Sequence, residues 1–182
     1  VAGKVLDPRL FLDREGTVPN DQYNQPLDFD HAPTWLVRDL FIAPATAAAG
    51  TCYTDAIAEF WPQLDGPGRV THHVVQSYSR RFVDLLRAAE GLGSGVLLWV
   101  GALALNHHRP EPWRLGAEAV LGSEDCMCQV FVHGDRGGQL RRQWVLYELL
   151  AAAQAGVPLV LWPPDLLQAH GAACSDPVVP GD

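Results

Sequence analysis

Short apolar runs alternate along this chain with longer amphipathic stretches, and glycine or proline marks most changes from one to the other. The clearest unit spans Cys126 to Trp162. Cys126 to His133 is an apolar run of strand length, and Gly134-Asp135-Arg136-Gly137-Gly138 breaks it. Between Trp144 and Ala155, the residues Trp144, Leu146, Tyr147, Leu149, Leu150 and Ala153 are spaced for one apolar face of a helix. Gly156 stops that helix, and Val157 to Trp162 reads as a second buried strand. Strand, helix and strand form a βαβ unit, and such units build parallel sheets. The near-continuous apolar character of both strands predicts neighbouring or near-neighbouring central positions. One carboxylate, Glu148, interrupts the apolar helix beside Trp144.

The same alternation runs upstream. Val70 to Gln76 predicts a strand, Arg80 to Gly91 a helix, Val96 to Leu105 a strand, and Trp113 to Leu121 a helix with Pro112 at its entrance. Pro62 to Arg69 is a breaker and the best internal boundary. Before it, Trp35 to Ile42 reads as a strand ending at Pro44, and Tyr53 to Trp61 as a short amphipathic helix behind an N-cap at Thr51. An alternative places the first strand at Arg38 to Ala43, with Val70 to Gln76 second. The pattern predicts a doubly wound, flavodoxin-like α/β sheet of about five mainly parallel strands flanked by helices. Residues 1–69 form an N-terminal extension able to add a strand and a helix to the same domain, 70–164 the α/β domain, and 165–182 a tail or linker. Ligands of such sheets bind beyond the carboxyl ends of the strands, here at Ser77 to Arg80, Ala102 to His108 and His133 to Gly138.

Composition narrows the function. The 182 residues carry a net charge of −8, which disfavours nucleic acid as a partner. No apolar run reaches the roughly 18–20 residues that span a bilayer, so no membrane association is expected and the protein reads as cytoplasmic. Cys52, Cys126, Cys128 and Cys174 lack zinc-ligand spacing, and they read as reduced, buried thiols. The adjacent pairs His72–His73 and His107–His108 are poorly placed to share a metal, so no metal site is expected. Neither a Gly-x-Gly-x-x-Gly turn nor a P-loop is present. The chain opens at Val1, as a trimmed protein or a piece of a longer one would.

Several phrases, in order, resemble those of bacterial TIR (Toll/interleukin-1 receptor-like) domains. Gln76-Ser77-Tyr78-Ser79-Arg80-Arg81-Phe82-Val83 is similar to the family's opening strand exit and first helix. Pro112-Trp113-Arg114, followed by Ala117-Glu118-Ala119-Val120 and Ser123, resembles the phrase after its BB loop. Trp144-Val145-Leu146-Tyr147-Glu148-Leu149 resembles its WxxxE helix, and Ala151 to Trp162 its next strand. The likeness covers about residues 72–162. The stretch after Arg80 lacks the family's acidic residue, and Gly101 to Glu111 lacks its acidic-then-glycine run.

The resemblance implies an NAD glycohydrolase that serves as a defence effector, with NAD as substrate and no separate cofactor. It implies Glu148 as the catalytic carboxylate. Cleavage of the nicotinamide–ribose bond passes through an oxocarbenium-like transition state that a carboxylate stabilises. By resemblance and loop position, Ser77, Tyr78, Arg80, Trp99, Trp113 and Trp144 are substrate-binding candidates, with Arg80, Arg81 and Arg136 as phosphate forks. Self-association is expected of the family. Two other readings stay open: a non-catalytic TIR assembly module, and a nucleoside deoxyribosyltransferase-like N-glycoside enzyme. Glu148 also reads as a partly exposed flank able to pair with Arg141 or Arg142, and Trp113 as a core residue.

Overall fold

The computed structural model describes residues 28, 30–60, 69–93, 95–109, 113–133 and 138–163. Four parallel strands form one sheet in the order β2-β1-β3-β4: β1 His72–Gln76, β2 Leu98–Val100, β3 Cys128–Val132 and β4 Leu159–Trp162. β1 is paired on both sides, His73 standing opposite Trp99 of β2 and Gln129 of β3. The chain therefore steps one way from β1 to β2 and returns across β1 to reach β3. That reversal is the switch point of a flavodoxin-like sheet. The structure gives the doubly wound α/β architecture with four strands among the described residues, where the sequence suggested about five.

The missing strand is a helix. Residues 34–46, here α1, run as an α-helical turn at Thr34–Val37, a π-helical stretch at Arg38–Ile42 and a further α-turn at Ala43–Thr46. Thr34, Val37, Phe41, Ile42 and Thr46 are buried, a spacing that follows a helical rather than a two-residue period. Both strand readings of this segment are thus overturned. Pro44 falls just after the π-helical stretch, where the widened turn relaxes the hydrogen-bond ladder that a proline otherwise interrupts.

α1 is stapled to the exit of β1. The Thr34 and Trp35 amides donate to the Arg80 and Tyr78 carbonyls at 2.7 and 2.9 Å, and Phe82 donates back to Ala32 at 2.9 Å. The Thr34 hydroxyl donates to Gln76 Oε1 at 3.1 Å. α2, Tyr53–Phe60, follows with Ala56 buried, while Trp61 lies outside the described residues.

Helices cover both faces of the sheet. α1 and α3 (Phe82–Leu92) pack Val37, Phe41, Ile42, Phe82 and Leu85 onto Val74, Val100, Val130 and Val132. The opposite face carries Val75 and Phe131 and receives α6 (Gln143–Gln154) through Val145, with α5 (Trp113–Leu121) beside it. A single turn, α4 at Gly101–Ala104, ends β2 far earlier than the apolar run to Leu105 suggested.

Of two sequence-derived helix stops, one shifts and one holds. α3 continues past Gly91 to Leu92 and ends at Gly93, whose φ of 87° only glycine adopts readily. Gly156, at φ 70°, ends the turn after α6 as predicted. β3 is buried throughout and central. β4 pairs with it in parallel but forms the edge of the described sheet, with Leu159 and Val160 exposed, so the expected central position is not met. No helix among the described residues is long and apolar enough to cross a membrane.

Candidate functional site

β1 and β2 end at a cavity of about 320 Å³ whose floor includes Val74, Val100 and Ala102. Three aromatic side chains from three parts of the chain wall it: Tyr78 after β1, Trp113 at the start of α5 and Trp144 in the first turn of α6. Tyr78 and Trp144 meet edge to face with centroids 6.1 Å apart, and Trp113 meets Tyr147 edge to face at 5.1 Å. The Tyr78 hydroxyl reaches the backbone where β2 turns into α4, 3.4 Å from where a side chain on Gly101 would begin.

Glu148 lies one turn beyond Trp144 on the same face of α6 and lines this cavity. It is only 7% exposed, which overturns the partly exposed flank expected from the sequence. Among the described residues its carboxyl makes no hydrogen bond or ion pair. Burial pushes its pKa up to about 8. The Glu148 charge and burial together raise the Tyr78 phenol above its ordinary value, burial being the larger cause.

The height of α6 over the sheet is fixed from below. Gln129 of β3 donates its side-chain amide to the main-chain carbonyl of Glu148 at 3.0 Å and to His73 Nδ1 at 3.2 Å. His73 in turn stacks on Trp99, with centroids 4.7 Å apart and planes 15° from parallel. Burial lowers the His73 pKa to about 4, so this support is neutral and insensitive to pH near 7.

The sequence-derived candidates divide. Glu148, Tyr78, Trp113 and Trp144 meet in the one cavity. Ser77 is fully buried behind it, its hydroxyl 2.9 Å from that of Ser79. Arg80 and Arg81 both reach Asp84, at 3.2 and 2.6 Å, and neither lines the cavity. Trp99 faces an adjoining cavity of about 620 Å³ that shares Leu105, His107 and Trp113 with the first. Arg136 lies outside the described residues.

Two polar cavity residues were absent from the sequence-derived candidates, although His107 lies in the Ala102 to His108 stretch that the sequence marked as a ligand-binding end. Arg38 enters from α1, and His107 from the loop after α4, its Nε2–H donating to the Ala102 carbonyl at 2.9 Å. Arg38 sits in a run whose apolar residues, Trp35, Leu36, Val37, Leu40, Phe41 and Ile42, suit helix or strand alike, so local spacing did not place it. Cys52, Cys126 and Cys128 are free and buried, away from this cavity. No family model, curated protein or solved structure matches this chain.

Proposed function

We propose that the cavity cleaves an N-glycosidic bond, and that the protein is a TIR-type NAD glycohydrolase of the cytosol, serving as a defence effector. The observation that carries the reading is Glu148: a buried carboxyl, without a partner among the described residues, in an aromatic-walled cavity beyond the ends of parallel strands. Desolvation of this kind costs stability, and active sites are where such a cost is retained.

The chemistry follows from the placement. Nicotinamide in NAD is a cationic leaving group, so the C1′–N bond breaks with its electron pair passing to the ring nitrogen, and neutral nicotinamide departs without a proton. Positive charge develops on the ribose ring, and the Glu148 carboxylate stabilises it. Water then adds at C1′, giving ADP-ribose and releasing one proton; capture by the adenine ring instead gives a cyclic product. Trp113, Trp144 and Tyr78 offer faces and edges for the flat rings. The bound pyridinium itself favours ionised Glu148, which in the free protein is half-protonated near pH 8.

That same pKa favours a second reading. A carboxyl still protonated at pH 7 is a general acid, suited to a nucleoside whose neutral base must gain a proton to leave. The two readings differ in the pH dependence of kcat/KM. NAD cleavage rises with pH towards a plateau above about 8, whereas acid-assisted nucleoside cleavage falls across the same range. Incubation with NAD and with deoxynucleosides, followed by chromatography for nicotinamide and free base, decides between them. Release of neither would sink both and favour the assembly-module reading.

A further inference from the structure

We propose that Arg38 is the anion-recognising residue of the Glu148 cavity, so that the substrate is held through a phosphate group and is a nucleotide rather than a free nucleoside. The inference rests on the glycosidic-bond reading above and specifies its substrate class. Among the described residues, Arg38 is the lysine or arginine that lines this cavity. Its guanidinium lies over the Tyr78 ring, 5.5 Å from the centroid, and its Nε pairs with Asp39 Oδ1 at 2.6 Å. Those two contacts hold the group while engaging one nitrogen. The terminal nitrogens have no hydrogen-bond partner among the described residues, and the side chain is 30% exposed.

A guanidinium fixed in this way presents the planar fork that matches two phosphate oxygens, at a lower ordering cost than a free arginine. Its position fits one molecule reaching both groups. Arg38 and Glu148 line the one cavity, and Tyr78, which lines it too, carries the Arg38 contact on its ring. A glycosidic carbon beside Glu148 therefore leaves the sugar's phosphate-bearing end in reach of Arg38. An unphosphorylated nucleoside would occupy the same walls and leave the fork unused. The π-helical stretch that opens at Arg38 is a local departure from regular helix at a cavity wall, where such departures recur.

The test compares binding of nicotinamide mononucleotide and nicotinamide riboside by calorimetry, using the full chain with Glu148→Gln so that neither ligand is turned over. With Arg38 present, the phosphorylated ligand should bind about tenfold to a hundredfold more tightly. Arg38→Met should erase that preference by weakening the mononucleotide alone, and Arg38→Lys should keep part of it. An unchanged preference in both variants, or no mononucleotide binding with Arg38 present, overturns the proposal. The glycohydrolase reading fails separately. If the protein with Glu148 intact releases no nicotinamide but the preference tracks Arg38, the phosphate contact stands without the reaction. If NAD is cleaved and Arg38→Met leaves the preference intact, the reaction stands without the contact.

Discussion

Tyr78 and Trp144 meet edge to face, with ring centroids 6.1 Å apart and planes at 67°. One ring follows β1 and the other begins α6, so this contact joins the strand exit to the helix that carries Glu148. Such pairs contribute about 0.5–1.5 kcal/mol beyond their buried area and hold a preferred angle. The wall facing Glu148 is therefore set by packing between elements far apart in sequence.

Glu148→Gln should lower NAD cleavage by on the order of a hundredfold or more, since it removes the charge that faces the developing cation while keeping the shape. Glu118→Gln on α5 is the matched control. Glu118 accepts a hydrogen bond from the Tyr147 hydroxyl, and glutamine keeps that acceptor. Steady-state rates with NAD read the difference. Equal losses in both variants would point to damage of the α5–α6 packing rather than to catalysis.

Stability should move in the opposite direction from activity. Glu148 has a folded pKa of about 8 against an ordinary 4.5, so the folded state retains a proton that the unfolded state has released. Its stabilising effect is full below about 4.5 and is lost as pH rises to about 8, at up to about 1.4 kcal/mol per unit. His73 runs the other way: its pKa of about 4 against 6.5 costs stability as pH falls through that window. Comparing Tm of the parent and Glu148→Gln at each pH cancels the His73 contribution. The advantage of the variant should grow from pH 5 to pH 8. A constant offset would show a hydrated, ordinary carboxyl.

Gly91→Ala should destabilise the fold by about 1–3 kcal/mol. In an open helix the same change stabilises by up to about 1 kcal/mol, because alanine is the better helix former. Here a Cβ on Gly91 of α3 would come within 2.0 Å of the edge of the Trp162 ring at the end of β4. Urea denaturation of the single variant gives the sign, and a rise in midpoint would remove the Gly91–Trp162 approach from the packing.

If the TIR resemblance extends to assembly, NAD turnover per protein should rise with protein concentration. Rates measured over a hundredfold dilution series check this. Strict proportionality between activity and concentration at every dilution counts against self-association as the activating step.

Periodicity in the sequence determined much of the architecture. β1, β3, β4, α3, α5 and α6 each lie within a few residues of their predicted bounds, because buried strands and amphipathic helices write their burial into local spacing. The prominence of Glu148 was also local, a carboxylate set among apolar helix positions. Tertiary structure decided the rest. The run Trp35 to Ile42 carries enough apolar residues for either element, and docking against Phe82, Leu85 and the sheet selects the helix. That choice brings Arg38 to the cavity. The same packing buries Ser77 and turns Trp99 onto His73, whereas the pairing of Arg80 and Arg81 with Asp84 is local, at four and three residues' spacing. Spacing along a chain fixes which face of an element a residue occupies, but which faces meet, and what lies between them, depends on contacts between residues far apart in sequence.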